Sequence, residues 1–157
     1  MLLHAKRYWP EYISTMFWPF ALLAAADRLN RFDLDENGVS PKEKYTDTKI
    51  AHNLRDEHTW GCPVFVLDHR LQGGKGGLPK WNPQARVGIN LGRTKSHAGN
   101  VHLILNPRTG HVSPQYHVIF DDDFTTVPYL RSGKVPPFWK DLVANGTTRC
   151  SWDRHHA

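Results

Sequence analysis

The groups in this 157-residue chain with types suited to metal binding or catalysis are ten histidines, three consecutive aspartates and two cysteines. His111 and His117 stand six residues apart in a β-rich run, so within one strand they would share a face. Two imidazoles without a third ligand are poor metal chemistry, and packing or surface roles are the commoner use. Asp121-Asp122-Asp123 has the charge of a magnesium cluster. Successive strand residues point to opposite faces, so the three do not converge unless the backbone turns; the run ends a strand and keeps it soluble. Asp33-Leu34-Asp35-Glu36-Asn37-Gly38 copies the start of a calcium loop. The chelating Glu belongs at position twelve, where Lys44 stands, and Glu43 comes one residue early. The segment therefore reads as a solvated turn, with Ser40 capping a short helix from Pro41 and Glu43 completing a capping box. Cys62 lies in an apolar run and Cys150 in a polar tail, which suits two free thiols better than a disulfide. No four-ligand zinc spacing occurs. The stretch Gln72-Gly73-Gly74-Lys75-Gly76-Gly77 lacks the Gly-Lys-Ser/Thr ending of a phosphate-binding loop, and no Ser-His-Asp or Cys-His pattern stands out.

Around these groups the chain divides into helical and β-rich parts. Residues 2–8 suit a helix that Trp9-Pro10 stops, since the residue before proline disfavours the helical region. A second helix runs from Ser14 or Thr15 to Asn30. Its centre, 16–26, is apolar on nearly every face, which predicts burial against something large. Eleven residues fall short of the roughly 20 that a membrane span needs. A secretion signal is disfavoured because Trp9, Pro10, Glu11 and Pro19 break the required order. Residues 44–58 are polar and expected along the surface. From Trp60, short β-branched and aromatic runs alternate with Gly, Pro and Asn: strands at 62–68, 85–91, 101–106 and 111–120. Asn106-Pro107-Arg108-Thr109-Gly110 makes a hairpin turn. Ser113-Pro114 should bulge or break the fourth strand, Gly88 is placed to allow a bend, and 124–127 would add an edge strand. The tail carries one helical turn at 138–143 and otherwise reads as frayed. The fold class expected is α+β: N-terminal helices leading into a small antiparallel barrel or meander, with an irregular C-terminal tail.

Several separate pieces, in order, resemble a known family. They are His52-x-Leu54-Arg55 before Gly61-Cys62-Pro63-Val64; Lys80-Trp81-x-Pro83-x-Ala85-Arg86; Leu91-Gly92; and Leu105-Asn106-x-x-Thr109-Gly110-x-Val112-Ser113-Pro114-Gln115-x-His117-Val118-x-Phe120-Asp121-Asp122. Together they resemble the region that follows the integrase catalytic core in copia-type LTR retrotransposon polyproteins. Met1-Leu2-Leu3-His4-Ala5, Trp9-Pro10 and Phe17-Trp18-Pro19-Phe20-Ala21-Leu22 resemble the last two helices of that core. The resemblance implies an SH3-like β-barrel, and a division into 1–34 (end of the core), 35–58 (linker), 59–126 (barrel) and 127–157 (extended tail). It implies DNA integration in the nucleus, with magnesium or manganese held by two aspartates and a glutamate of the core. Those acids would precede the position of Met1, so the resemblance implies no cofactor and no strand-transfer activity for this chain by itself. Its implied partners are DNA and, through 16–26, the rest of the core or a second copy, with no membrane.

What remains for this chain is binding. Lys plus Arg outnumber Asp plus Glu by 20 to 15, a net charge of +5, which suits a nucleic-acid partner without demanding one. Lys75, Lys80, Arg86, Arg93, Lys95 and Arg108 lie in or beside expected barrel loops, with Trp81 among them, a composition suited to tracking phosphates. An ordinary solvated rim has the same composition. The rival class is a protein-interaction module that uses the helix at 16–26 and has no DNA role.

Overall fold

In the computed structural model the described residues are 1–51, 54–72, 79, 84–97 and 100–132. Lys75, Lys80, Trp81, Cys150 and the turn expected at 138–143 lie outside them. Three helices come first: α1 (Leu2–Tyr8), α2 (Trp18–Phe32) and α3 (Pro41–Thr46). Strand β1 (Pro63–Leu67) and the short α4 (His69–Gln72) follow. Then come β2 (Ala85–Arg93), β3 (His102–Leu105), β4 (Val112–Gln115), β5 (Val118–Phe120) and α5 (Val127–Ser132). The class is α+β, with helices beside one antiparallel sheet of order β4-β3-β2-β1-β5.

Four strands form a meander and the fifth returns to pair with the first. The β4 and β5 strands lie on opposite edges, yet only Tyr116 and His117 separate them. Three Cα steps span at most about 11 Å, whereas edges four strand spacings apart in a flat sheet would be about 19 Å apart. The sheet must therefore coil until its edges approach. It stays open, because no ladder joins β4 to β5.

Register explains why both faces of β1 are covered. Directly paired residues share a face. Val64 opposes Gly88 and Phe120, and Val66 opposes Val118, while Asn90 brings Ile104 onto the same side. Val64, Val66, Ile104 and Val118 are at most 1 % exposed. On the other face Phe65, Ile89 and Leu105 are also buried. Coiling wraps the first face on itself while helices cover part of the second. Gly88 serves close packing rather than a bend, since a Cβ there would come within 2.3 Å of Ile104 Cγ2.

Two glycines seat the helices. Gly61, at φ +81°, lies under α1, where a Cβ would meet Ala5 Cβ at 2.3 Å. Gly92, at φ +104°, lies under α2, 3.0 Å from Ala24 Cβ by the same construction. Buried tryptophans finish the seams, because an indole N–H needs an acceptor once desolvated. Trp9 Nε1 donates to the Gly61 carbonyl and Trp60 Nε1 to that of Leu91, each at 3.0 Å.

Several expectations change. The second helix begins with a 3₁₀ turn, Thr15–Phe17, and only Ala21 and Arg31 of α2 are buried. Trp18, Leu22, Leu23 and Leu29 are all more than half exposed. An apolar helix is thus docked by one narrow stripe and not enclosed. The β-run at 111–120 breaks at Tyr116-His117 and not at Ser113-Pro114; Pro114 pairs with Leu103 in an edge strand, where a missing N–H is tolerated. His111 precedes β4 and His117 falls between β4 and β5, so they share no strand. The edge strand expected at 124–127 is absent: Phe124 takes φ +58° and the chain turns into α5, so the tail begins as a helix. Among the described residues no helix is long and apolar enough to cross a membrane.

Candidate functional site

Polar side chains gather where α2 and the 54–58 segment meet the sheet. Asp27, Arg28 and Arg31 share one side of α2 by helical spacing. Arg31 Nε donates to Asp27 at 3.0 Å, and its Nη2 bonds Glu57 Oε1. Glu57 also faces Arg28 Nε at 3.8 Å and Arg93 Nε at 3.5 Å. Arg93 Nη2 donates to the Asp56 carbonyl at 2.9 Å. One carboxylate thus gathers three guanidiniums from α2 and the end of β2. The segment expected along the surface is mostly exposed among its described residues, but its end turns inward as an anchor, with the Glu57 side chain 11 % exposed and His58 6 %.

Beside it lies a histidine and carboxylate cluster. His58 Nδ1 is 3.0 Å from Asp122 Oδ2, and the Thr59 N–H donates to Asp122 Oδ1 at 2.7 Å. The His58 ring stacks on Phe120 at 3.6 Å between centroids, and His102 stands edge-on 5.6 Å from His58. Asn90 fixes the tautomer of His102. Its Nδ2 donates to the Thr59 carbonyl and its Oδ1 accepts from the Gly92 N–H, so Oδ1 is the acceptor 3.1 Å from His102 Nδ1, which carries the proton. Burial first, then electrostatic interaction with His58 and Arg93, pushes the His102 pKa down to about 3. Cys62 is a packing thiol: burial and the charges of Asp122 and Asp121 raise its pKa, which suppresses the reactive thiolate.

The aspartate run does structural work. Asp121 is 2 % exposed. Its carboxylate accepts from both backbone N–H and hydroxyl of Thr125 and Thr126, at 2.7–3.1 Å, which fixes the turn leading into α5. Asp122 turns to His58, and only Asp123 stays exposed. Two of three acids thus serve the interior and not strand solubility. The turn resembling a calcium loop is closed by protein groups. Asp35 Oδ1 accepts from the Asn37 and Val39 N–H groups, while Lys44 Nζ sits 2.7 Å from Asp35 Oδ2. The Lys44 hydrogen bond, helped by the backbone ones, lowers the Asp35 pKa. The capping box of Ser40 and Glu43 forms as its spacing requires. No group of three or more metal-ligating side chains occurs among the described residues.

The basic residues singled out by sequence do not form one patch. Arg86 opens β2 and Arg108 stands exposed in the β3–β4 turn at that same end of the sheet. Arg93 and Lys95 lie at the other end, seven residues or roughly 20 Å along β2. Arg93 is already engaged by Glu57. Sequence offered a signal for the Asp27–Arg31 pair through its spacing of four, but none for Glu57, His58 or His102. Their partners stand 26, 64 and 12 residues away. Comparison with protein-family models, curated proteins and solved structures finds no match for this chain.

Proposed function

We propose that this chain is a fragment of a copia-type retrotransposon integrase, with an inherited role in DNA integration through nucleic-acid binding and no catalysis of its own. The observation that carries the reading is the ordered series of motif pieces from His52 to Asp122. The strand order supports it: a four-strand meander whose fifth strand returns to the first, coiled strongly, is the layout an SH3-like barrel needs. On this reading 59–126 is the barrel and α1 and α2 are the closing helices of a core whose magnesium- or manganese-binding acids lie upstream. The protein works in the nucleus. Arg86 and Arg108 mark the DNA-facing end of the sheet. Lys75, Lys80 and Trp81, which lie outside the described residues, belong to the same proposed DNA-binding set by sequence. Four phosphate contacts give a log–log salt slope of about −3.6, or on the order of a hundredfold loss for a fourfold rise in salt. Duplex titrations over a salt series test it. A flat response, or no binding at low salt, rejects the DNA role.

A second reading is favoured by the exposed stripe of α2. Trp18, Leu22 and Leu29, at spacings of four and seven, are 59 %, 58 % and 62 % exposed. Such a stripe fits a seam for the rest of the core or a second copy. Leu22→Asp is the suitable probe of that association, because Phe20 packs half-buried against the core. Association that ignores DNA and is abolished by this change supports a protein-interaction module.

A further inference from the structure

We infer that the groove between α2 and the outer surface of β2, β3 and β4 binds a small amphipathic anion, an aromatic or branched apolar body bearing one acidic group. The groove holds about 320 Å³, within the size range of small-ligand sites. A helix, about 10 Å across with its side chains, does not fit it. Its apolar walls are Phe20, Leu23, Leu91, Leu103 and Pro114. One rim is basic: Arg93 and Lys95 stand against the single carboxylate of Asp27, with His97 beside them. Asp27 is paired with Arg31, which offsets part of its charge. The adjoining cluster sets three guanidiniums (Arg28, Arg31, Arg93) against two carboxylates (Asp27, Glu57), which leaves one positive charge in excess at the groove's edge.

Thr94, which lines this rim, has a buried Oγ1 with no hydrogen-bond partner among the described residues, while Arg93 Nε faces Glu57 Oε1 at 3.5 Å. The Thr94 hydroxyl can donate, and a buried donor without an acceptor is unfavourable. A carboxylate seated on the rim would accept from the Thr94 hydroxyl and offset the excess charge, with Lys95 closing from solvent. The apolar body would cover Leu23, which is half exposed, and Leu103 beneath it. Apolar walls, an unfilled donor and surplus positive charge thus meet in one place.

The test uses the full chain with 1-anilinonaphthalene-8-sulfonate as the anionic probe and N-phenyl-1-naphthylamine as its neutral counterpart, followed by fluorescence and by amide chemical shifts. The expected result is one site for the anion, with shifts centred on Leu23, Leu91 and Leu103. Lys95→Glu should weaken the anion by about fivefold to tenfold and leave the neutral probe unchanged. Leu23→Asn should weaken both probes, whereas Leu22→Asn, on the open face of α2, should change neither. Near-ultraviolet circular dichroism confirms that each variant is folded. Absence of binding, equal affinity for the two probes, indifference to Lys95→Glu, or loss through Leu22→Asn would each overturn the assignment.

Discussion

Glu57 concentrates more consequence than any other side chain described, because three guanidiniums from two elements depend on it. Replacing it by Gln preserves shape and removes the charge that Arg31 faces in a site where the Arg31 side chain is only 10 % exposed. Breaking a buried pair in this way should destabilise the fold by about 3 kcal/mol, read as a lower denaturant midpoint with an unchanged slope. His102 sets a different dependence, on pH. Its folded pKa of about 3 lies below the ordinary 6.5, so the unfolded chain binds a proton that the folded chain refuses. Stability from this group is complete above pH 6.5 and falls as pH drops from there towards 3, at up to about 1.4 kcal/mol per pH unit. His117, also lowered by burial, adds in the same direction. Asp68, held at about 2 by its hydrogen bonds to Arg70, acts only below its ordinary 3.8. The interval from pH 6 to pH 4 therefore belongs to the histidines. Urea denaturation across it should show falling stability, with a shallower fall in His102→Gln; an unchanged slope would count against the buried neutral ring.

At the scale of elements, α2 has two unlike faces, and the difference can be measured. Ala24 touches the backbone at Gly92, which holds φ +104°. Gly92→Ala combines that left-handed strain with a contact at 3.0 Å and should cost about 1–3 kcal/mol. Leu22→Asp, on the opposite face, should change stability by no more than about 0.5 kcal/mol. Equal effects would mean that α2 docks by another face. The same contrast shows what was legible in the sequence. Strands β1, β2 and β3, the Pro107–Gly110 hairpin turn and the Ser40 capping box follow from local chemistry, and each formed where its residues called for it. The extent of α2's burial was not legible, since apolar residues all round a helix report what it can bury against and not what covers it. The break at Tyr116-His117 was hidden for a related reason: crossing between sheet edges is dictated by coiling of the whole sheet, and no turn residue marks it. The polar cluster escaped because its partners meet only after α2 and the 54–58 segment close on the strands.

On the scale of the molecule, the sheet separates two basic regions, and their separation decides how a nucleic acid would meet it. The Arg86 and Arg108 end presents at least one exposed cation without a carboxylate partner among the described contacts. At the opposite end Arg93 is bound to Glu57 and the Asp56 carbonyl, which commits it to holding α2 in place. A phosphate backbone following one end of the sheet would therefore engage Arg108 and not Arg93. Removing one phosphate contact lowers the magnitude of the salt slope by about 0.9. Arg108→Glu should weaken duplex binding at low salt and flatten the slope by about that amount or more, while leaving the thermal midpoint near that of the parent chain. Arg93→Gln should do the reverse, lowering the midpoint while the slope measured on the folded protein stays the same. If both changes flatten the slope equally, DNA lies along the length of β2 and not across one end. If neither does, the basic residues are a solvated rim, and the exposed stripe of α2 becomes the surface through which this protein acts.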